Sequence, residues 1–166
     1  RFDRVGARGR RAVVSLAAMN VEYVGMPPST RKWSGAVERL ASDRWVDRAT
    51  VSQVRLVETF GRFIANTDMD FANLAFFPRD DGRLDLAPVY DMLPMALRPA
   101  PSGEVVERRL DVPLPPPAAR DDWRQAAAMA LSYWLDIAEW NDLSAGFRRI
   151  AADAADGLRR AMDRIV

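Results

Sequence analysis

Ile64-Ala65-Asn66-Thr67-Asp68-Met69-Asp70-Phe71-Ala72-Asn73 is the stretch on which the fold turns, because the pattern of the chain changes across it. Before it, Val51, Val54, Val57, Gly61 and Ile64 recur at helical spacing, with Phe60 beside the stripe. That period predicts a buried helix over about 47–64 whose end sets down Asn66-Thr67-Asp68. After it come two short strand-like runs, Leu74 to Phe77 and Leu84 to Leu86, separated by Asp80-Asp81-Gly82, a good hairpin turn. The second run leads straight into Ala87-Pro88-Val89-Tyr90-Asp91.

Working outward, residues 1–16 read as two extended pieces, Arg1 to Val5 and Ala12 to Leu16, around a Gly6–Gly9 turn. Five arginines crowd residues 1–11, and they read as a solvated loop rather than a phosphate or nucleic-acid grip. Met26-Pro27-Pro28-Ser29-Thr30 breaks the chain, and helical signals resume near Ser34. Residues 94–117 hold seven prolines and predict an irregular surface loop. Two helices close the chain. One spans about 121–139 with Ala127, Leu131, Trp134, Leu135 and Ala138 on one side. The other is capped near Ser144, and Phe147, Ile150, Ala151, Ala154, Leu158, Met162 and Ile165 form its apolar stripe. The expected architecture is one mainly α domain with a small β-hairpin in its middle.

Composition narrows the chemistry. The 166 residues contain neither Cys nor His, which removes thiol nucleophiles, imidazole bases, disulfides and ordinary zinc sites. Acid–base or metal chemistry must then run on Asp and Glu. The absence of Cys fits a cytoplasmic protein. Net charge is +1, so direct nucleic-acid binding by the whole domain is not indicated. No run of eighteen apolar residues is present, and no membrane partner is expected. The chain starts at Arg1 without an initiator Met, so a fragment of a longer protein is expected.

Asp68, Asn73 and Asp91 lie where the expected architecture changes element. Asp68 and Asn73 are five apart on the loop between helix and hairpin, and folding the hairpin back would bring Asp91 beside that loop. Two carboxylates and an amide oxygen form a hard, oxygen-only set suited to Mg²⁺, which also keeps waters and phosphate oxygens. Phosphoryl transfer needs little more: one carboxylate to orient the hydroxyl and take its proton, an Asn and a second Asp to hold metal against the phosphates. The order helix, Asp-x₄-Asn loop, hairpin, Asp is that of the protein-kinase template.

Arg1-Phe2-Asp3-Arg4, Ile64 to Asn73 as quoted, and Leu86-Ala87-Pro88-Val89-Tyr90-Asp91-Met92-Leu93-Pro94 together resemble the HipA family of kinase-fold Ser/Thr kinases, many of them toxins of bacterial toxin–antitoxin pairs. The resemblance covers residues 1 to about 100, in the family's order, and is closest to a subgroup with a preceding helix-turn-helix segment. It implies that residues 1–166 form the C-terminal lobe of a HipA-type kinase, without the N-terminal lobe that grips ATP. It also implies Asp68 as general base, Asn73 and Asp91 as the Mg²⁺ ligands that bind ATP through the metal, and Arg1 to Arg4 near the hinge between lobes. A protein Ser or Thr hydroxyl is the implied acceptor, and a DNA-binding antitoxin the implied partner.

Two departures from the family stand out. Asp70 replaces a His two residues after the catalytic Asp; a second carboxylate there repels Asp68 or adds a metal contact, and Asp70→His is expected to raise the rate. No Gly-rich phosphate loop occurs, and Lys32, the sole lysine, reads as a surface residue beside a Pro-Pro break. The isolated chain is therefore expected to bind ATP weakly. Competing readings are a pseudokinase, an interaction domain using the arginines of 148–164 and the Pro-rich loop, and a metal-dependent hydrolase. The last is disfavoured by the hairpin order, and the arginines, interleaved with Asp153, Asp156 and Asp163, read as a salt-bridged, solvated face.

Overall fold

The computed structural model describes residues 2–30, 32–99, 102, 112–116 and 119–165. Arg1 and most of the Pro-rich segment after Pro99 fall outside the described residues, so the hinge reading of Arg1 and the loop reading of residues 103–111 do too. The chain divides into two compact units, each built from two segments: Arg1–Glu58 with Met69–Met92, and Thr59–Asp68 with Leu93–Val166.

In the first unit, Arg4–Val5 (β1) and Gly9–Arg10 (β2) pair antiparallel around a turn with Gly6 at φ +57°, a conformation that favours glycine. Val14–Ser15 (β3) then pairs with Ala75–Pro78 (β4), which pairs with Leu84–Leu86 (β5), all antiparallel. The expected hairpin is thus two strands of a three-stranded sheet with β4 in the centre. The expected strand over 12–16 shrinks to two residues because Ser15 ends it. The Ser15 hydroxyl accepts the Ala18 N–H and starts a helical turn, Leu16–Met19 (α1), continued by a π-turn over Asn20–Val24. Periodicity did not reveal that segment, since nine residues give too few turns for a clear 3.6 repeat.

Trp33–Ser42 (α2) and Arg48–Phe63 (α3) follow, the latter within a residue of the expected helix. The Asp47 carboxylate caps α3 by accepting the Thr50 N–H at 2.7 Å. Strand β4 is buried on both faces. Phe76 enters the main core with Leu16, Trp33, Leu40, Val54 and Phe71, while Ala75 and Phe77 turn to a second cluster with Phe2, Ala87 and Tyr90. The period of two in the sheet produces this split.

In the second unit, Arg120–Glu139 (α4) and Ala145–Met162 (α5) pack together. Their buried positions are mostly alanine: Ala126, Ala127 and Ala130 on one helix, Ala151 and Ala155 on the other, all with no exposed surface. Small side chains let the axes approach closely. Leu131, Leu135 and Ala138, expected on the buried side of α4, are half-buried. Ser144 caps α5 through the Phe147 N–H, as its sequence suggested. The last turn of α3 belongs to this unit, where Trp134 donates its indole N–H to the Phe63 carbonyl at 3.0 Å and Phe63 meets Trp123 edge-on. Lys32 is exposed.

Candidate functional site

Asp68 is placed by the way α3 ends. Ala65 takes the left-handed conformation, φ +59°, and two backbone bonds close the helix: Ala65 N–H to the Arg62 carbonyl at 3.1 Å and Asn66 N–H to the Gly61 carbonyl at 2.8 Å. These two bonds define a Schellman motif. It delivers Asn66 into a buried position, and the Asn66 Oδ1 accepts the Asp68 N–H at 2.9 Å. The Asp68 side chain is exposed beyond this fixed backbone, and Asp68 closes the second unit's first segment.

Asn73 sits in the first unit on a one-turn 3₁₀ helix, Phe71–Asn73. Asp70 caps that turn: its carboxylate accepts the Ala72 N–H at 2.8 Å. Its carbonyl accepts two more donors, the Asn73 N–H at 3.0 Å and the Trp33 indole N–H at 2.9 Å. Asp70 therefore has a capping role that neither the repulsion nor the metal-contact reading of it supplied. Phe71 and Leu74, each 1 % exposed, anchor the two ends of the turn in the core.

Asp91 follows β5 in the first unit at φ +57°, an uncommon conformation for a residue with a Cβ. Its neighbour Tyr90 donates its phenol O–H to the Ala72 carbonyl and packs against Phe2. One hydrogen bond thus joins the segment carrying Asp91 to the turn carrying Asn73. Burial, and then the charge of Asp91, push the Tyr90 phenol above its ordinary value, so it remains a donor throughout the neutral range. The structure brings the Asn73 and Asp91 segments together within one unit; Asp68 belongs to the other.

The donor chemistry of these residues fits Mg²⁺: carboxylate and amide oxygens, with neither Cys nor His in the sequence. Among the described residues no group of three or more His, Cys, Asp or Glu side chains forms a metal cluster. One amide and one carboxylate, those of Asn73 and Asp91, would leave the rest of an octahedral shell to water and phosphate oxygens, as this ion prefers.

A cleft of about 590 Å³ in the first unit lies elsewhere, lined by Arg11, Gln53, Val57, Phe77 and residues 85–89, and includes none of the three candidates. The Arg11 guanidinium lies 3.6 Å from the centre of the Phe77 ring there. Reasoning from sequence missed Asn66, Trp33 and Tyr90 as supports. For Asn66 a signal existed, since Asn two residues before a loop position readily bonds backbone through an Asx-turn. For Trp33 there was none.

No helix among the described residues is long and apolar enough to cross a membrane. No protein-family model matches the chain. Over 165 residues it is 33 % identical to Toxin YjjJ of Escherichia coli K12, a similarity that takes in 99 % of this chain and, because the chain spans only about a third of that protein's length, 36 % of the toxin.

Proposed function

We propose that this chain is the catalytic lobe of a HipA-like Ser/Thr protein kinase of the toxin kind, which moves the γ-phosphate of ATP to a protein hydroxyl. The observation that carries the reading is the tie, within the first unit, of the Asn73 turn through Tyr90 to the segment bearing Asp91; Asp68, in the second unit, follows a buried helix on a backbone held by Asn66. Similarity along the whole chain to a protein named as a toxin supports the toxin role. A DNA-binding antitoxin and a cytoplasmic setting belong to the same reading.

In this scheme Asp68 accepts the proton of the acceptor Ser or Thr as its oxygen bonds to the γ-phosphorus and the bond to the β-phosphate oxygen breaks, leaving ADP. Asn73 and Asp91 would hold Mg²⁺. When bound, the ion neutralises charge on the transferring group. The exposure of Asp68 leaves it accessible to a protein acceptor. A segment that grips the nucleotide, outside this chain, completes the enzyme.

Radiolabelled γ-phosphate transfer by the full-length protein with Mg–ATP tests this, beside Asp68→Asn and Asp91→Asn. Incorporation by the unaltered protein and by neither variant is the expected result, with losses of at least about 100-fold. Incorporation that survives both substitutions overturns the assignments. None from the folded, unaltered protein across candidate acceptors leaves a binding module of the same fold.

A further inference from the structure

Trp33 opens α2, forty residues before Asn73, and its ring is buried to 1 % exposure. A buried indole needs a partner for its N–H. Here the partner is not in the core but on the candidate loop: the Asp70 carbonyl, at 2.9 Å. The same oxygen accepts the Asn73 N–H, so one atom couples the indole to the residue that the kinase reading gives to the metal.

The indole is itself held firmly. Lys32 supplies no side-chain cap to α2, and the first N–H of the helix, that of Trp33, goes to Glu58 Oε1 at 3.0 Å. The Ser34 hydroxyl donates to Glu58 Oε2 at 2.6 Å. Glu58 is 7 % exposed on α3, and a carboxylate at a helix N-terminus is favoured by the aligned backbone dipoles. The result is a continuous path from α3 through Glu58 and Trp33 to the Asp70 carbonyl and the Asn73 turn, all within the first unit.

We propose that Trp33 is a positioning residue for metal binding, holding the Asn73 turn in register through the Asp70 carbonyl. The proposal rests on the kinase reading for the role of Asn73. Groups that fix a metal ligand from behind alter metal affinity by about 10–100-fold when removed. Packing alone would not require the N–H, so Trp33→Phe, which keeps an aromatic ring and deletes the donor, separates the two roles.

In the full-length protein, Trp33→Phe should raise the Mg²⁺ concentration for half-maximal phosphotransfer by about tenfold, leaving KM for the protein acceptor unchanged. Mn²⁺ binding in the presence of ATP, followed by electron paramagnetic resonance, should weaken by a similar factor. Unchanged Mg²⁺ dependence and Mn²⁺ affinity in a folded variant overturn the proposal while the kinase reading stands. An unaltered protein that neither transfers phosphate nor binds Mn²⁺ overturns both. Should the variant not fold, the Trp33 indole ¹⁵N–¹H resonance of the unaltered protein decides: a shift on adding Mg–ATP is expected, and a stationary signal overturns the proposal.

Discussion

Ala65 holds a left-handed backbone, φ +59°, at the point where α3 stops and the candidate loop begins. Glycine is the usual occupant of that place in a Schellman motif, because a Cβ there is disfavoured by about 1 kcal/mol or more. Ala65→Gly should therefore stabilise the protein by about 0.5 kcal/mol after the extra freedom of unfolded glycine is counted. A higher urea midpoint at unchanged slope is the expected observation. Asp70 invites a second test at this scale, since its carboxylate both caps the Asn73 turn and places negative charge two residues from Asp68. Asp70→Asn keeps an acceptor for the Ala72 N–H and removes the charge, so it should raise the phosphotransfer rate with stability unchanged. Asp70→Ala loses the cap as well and should cost about 1 kcal/mol. Because a His is a poor cap, Asp70→His mixes the two effects. Comparing rates and thermal midpoints of the Asn and Ala variants separates them; equal rates in Asp70→Asn and the unaltered protein would remove the charge argument.

Among the elements, α3 carries the most consequence, since its start is fixed by Asp47 and its end sets Asp68. The backbone N–H of Thr50, then its side chain, hold the Asp47 carboxyl below its ordinary value, despite a small opposing effect of burial. A lowered value means the fold favours the ionised form. The stabilisation is complete above the unfolded carboxylate range, near pH 3.9, and is lost as pH falls through the lowered value. Asp47→Asn retains a cap that does not titrate, so its thermal midpoint should fall less than that of the unaltered protein between about pH 4 and pH 2. Helices α3 and α5 and the β4–β5 hairpin were legible because each is long or strongly patterned enough to declare which side is buried; for α4 the extent was legible, but the buried side is centred on Ala126, Ala127 and Ala130 rather than on its leucines. The pairing of β3 with β4 was not, because it joins residues some sixty positions apart through two residues of strand. Nor was the cap on α2, which comes from Glu58 on another helix rather than from a residue beside Trp33. The same limit applies to the candidate site. Asp68, Asn73 and Asp91 could be picked out by type, order and place between elements, whereas Trp33 and Tyr90 act through contacts that no local pattern encodes.

At the scale of the whole molecule, the chain passes between its two units three times: inside α3, at Asp68–Met69 and at Met92–Leu93. The second and third passages fall beside Asp68 and Asp91, so residue assignments and unit boundaries share the same short stretches. Each unit is assembled from two separated segments, and this interleaving governs the order in which the protein can form as it leaves the ribosome. When Glu58 emerges, the first core still lacks Phe71, Leu74, Phe76 and Leu84, and it cannot close until the polypeptide has been made through Met92. By then the opening segment of the second unit is already outside, waiting for α4 and α5. Domains usually mature one after another during synthesis. Here the first unit can close only after the opening segment of the second has been made, and that segment stays without its partners until α4 and α5 follow.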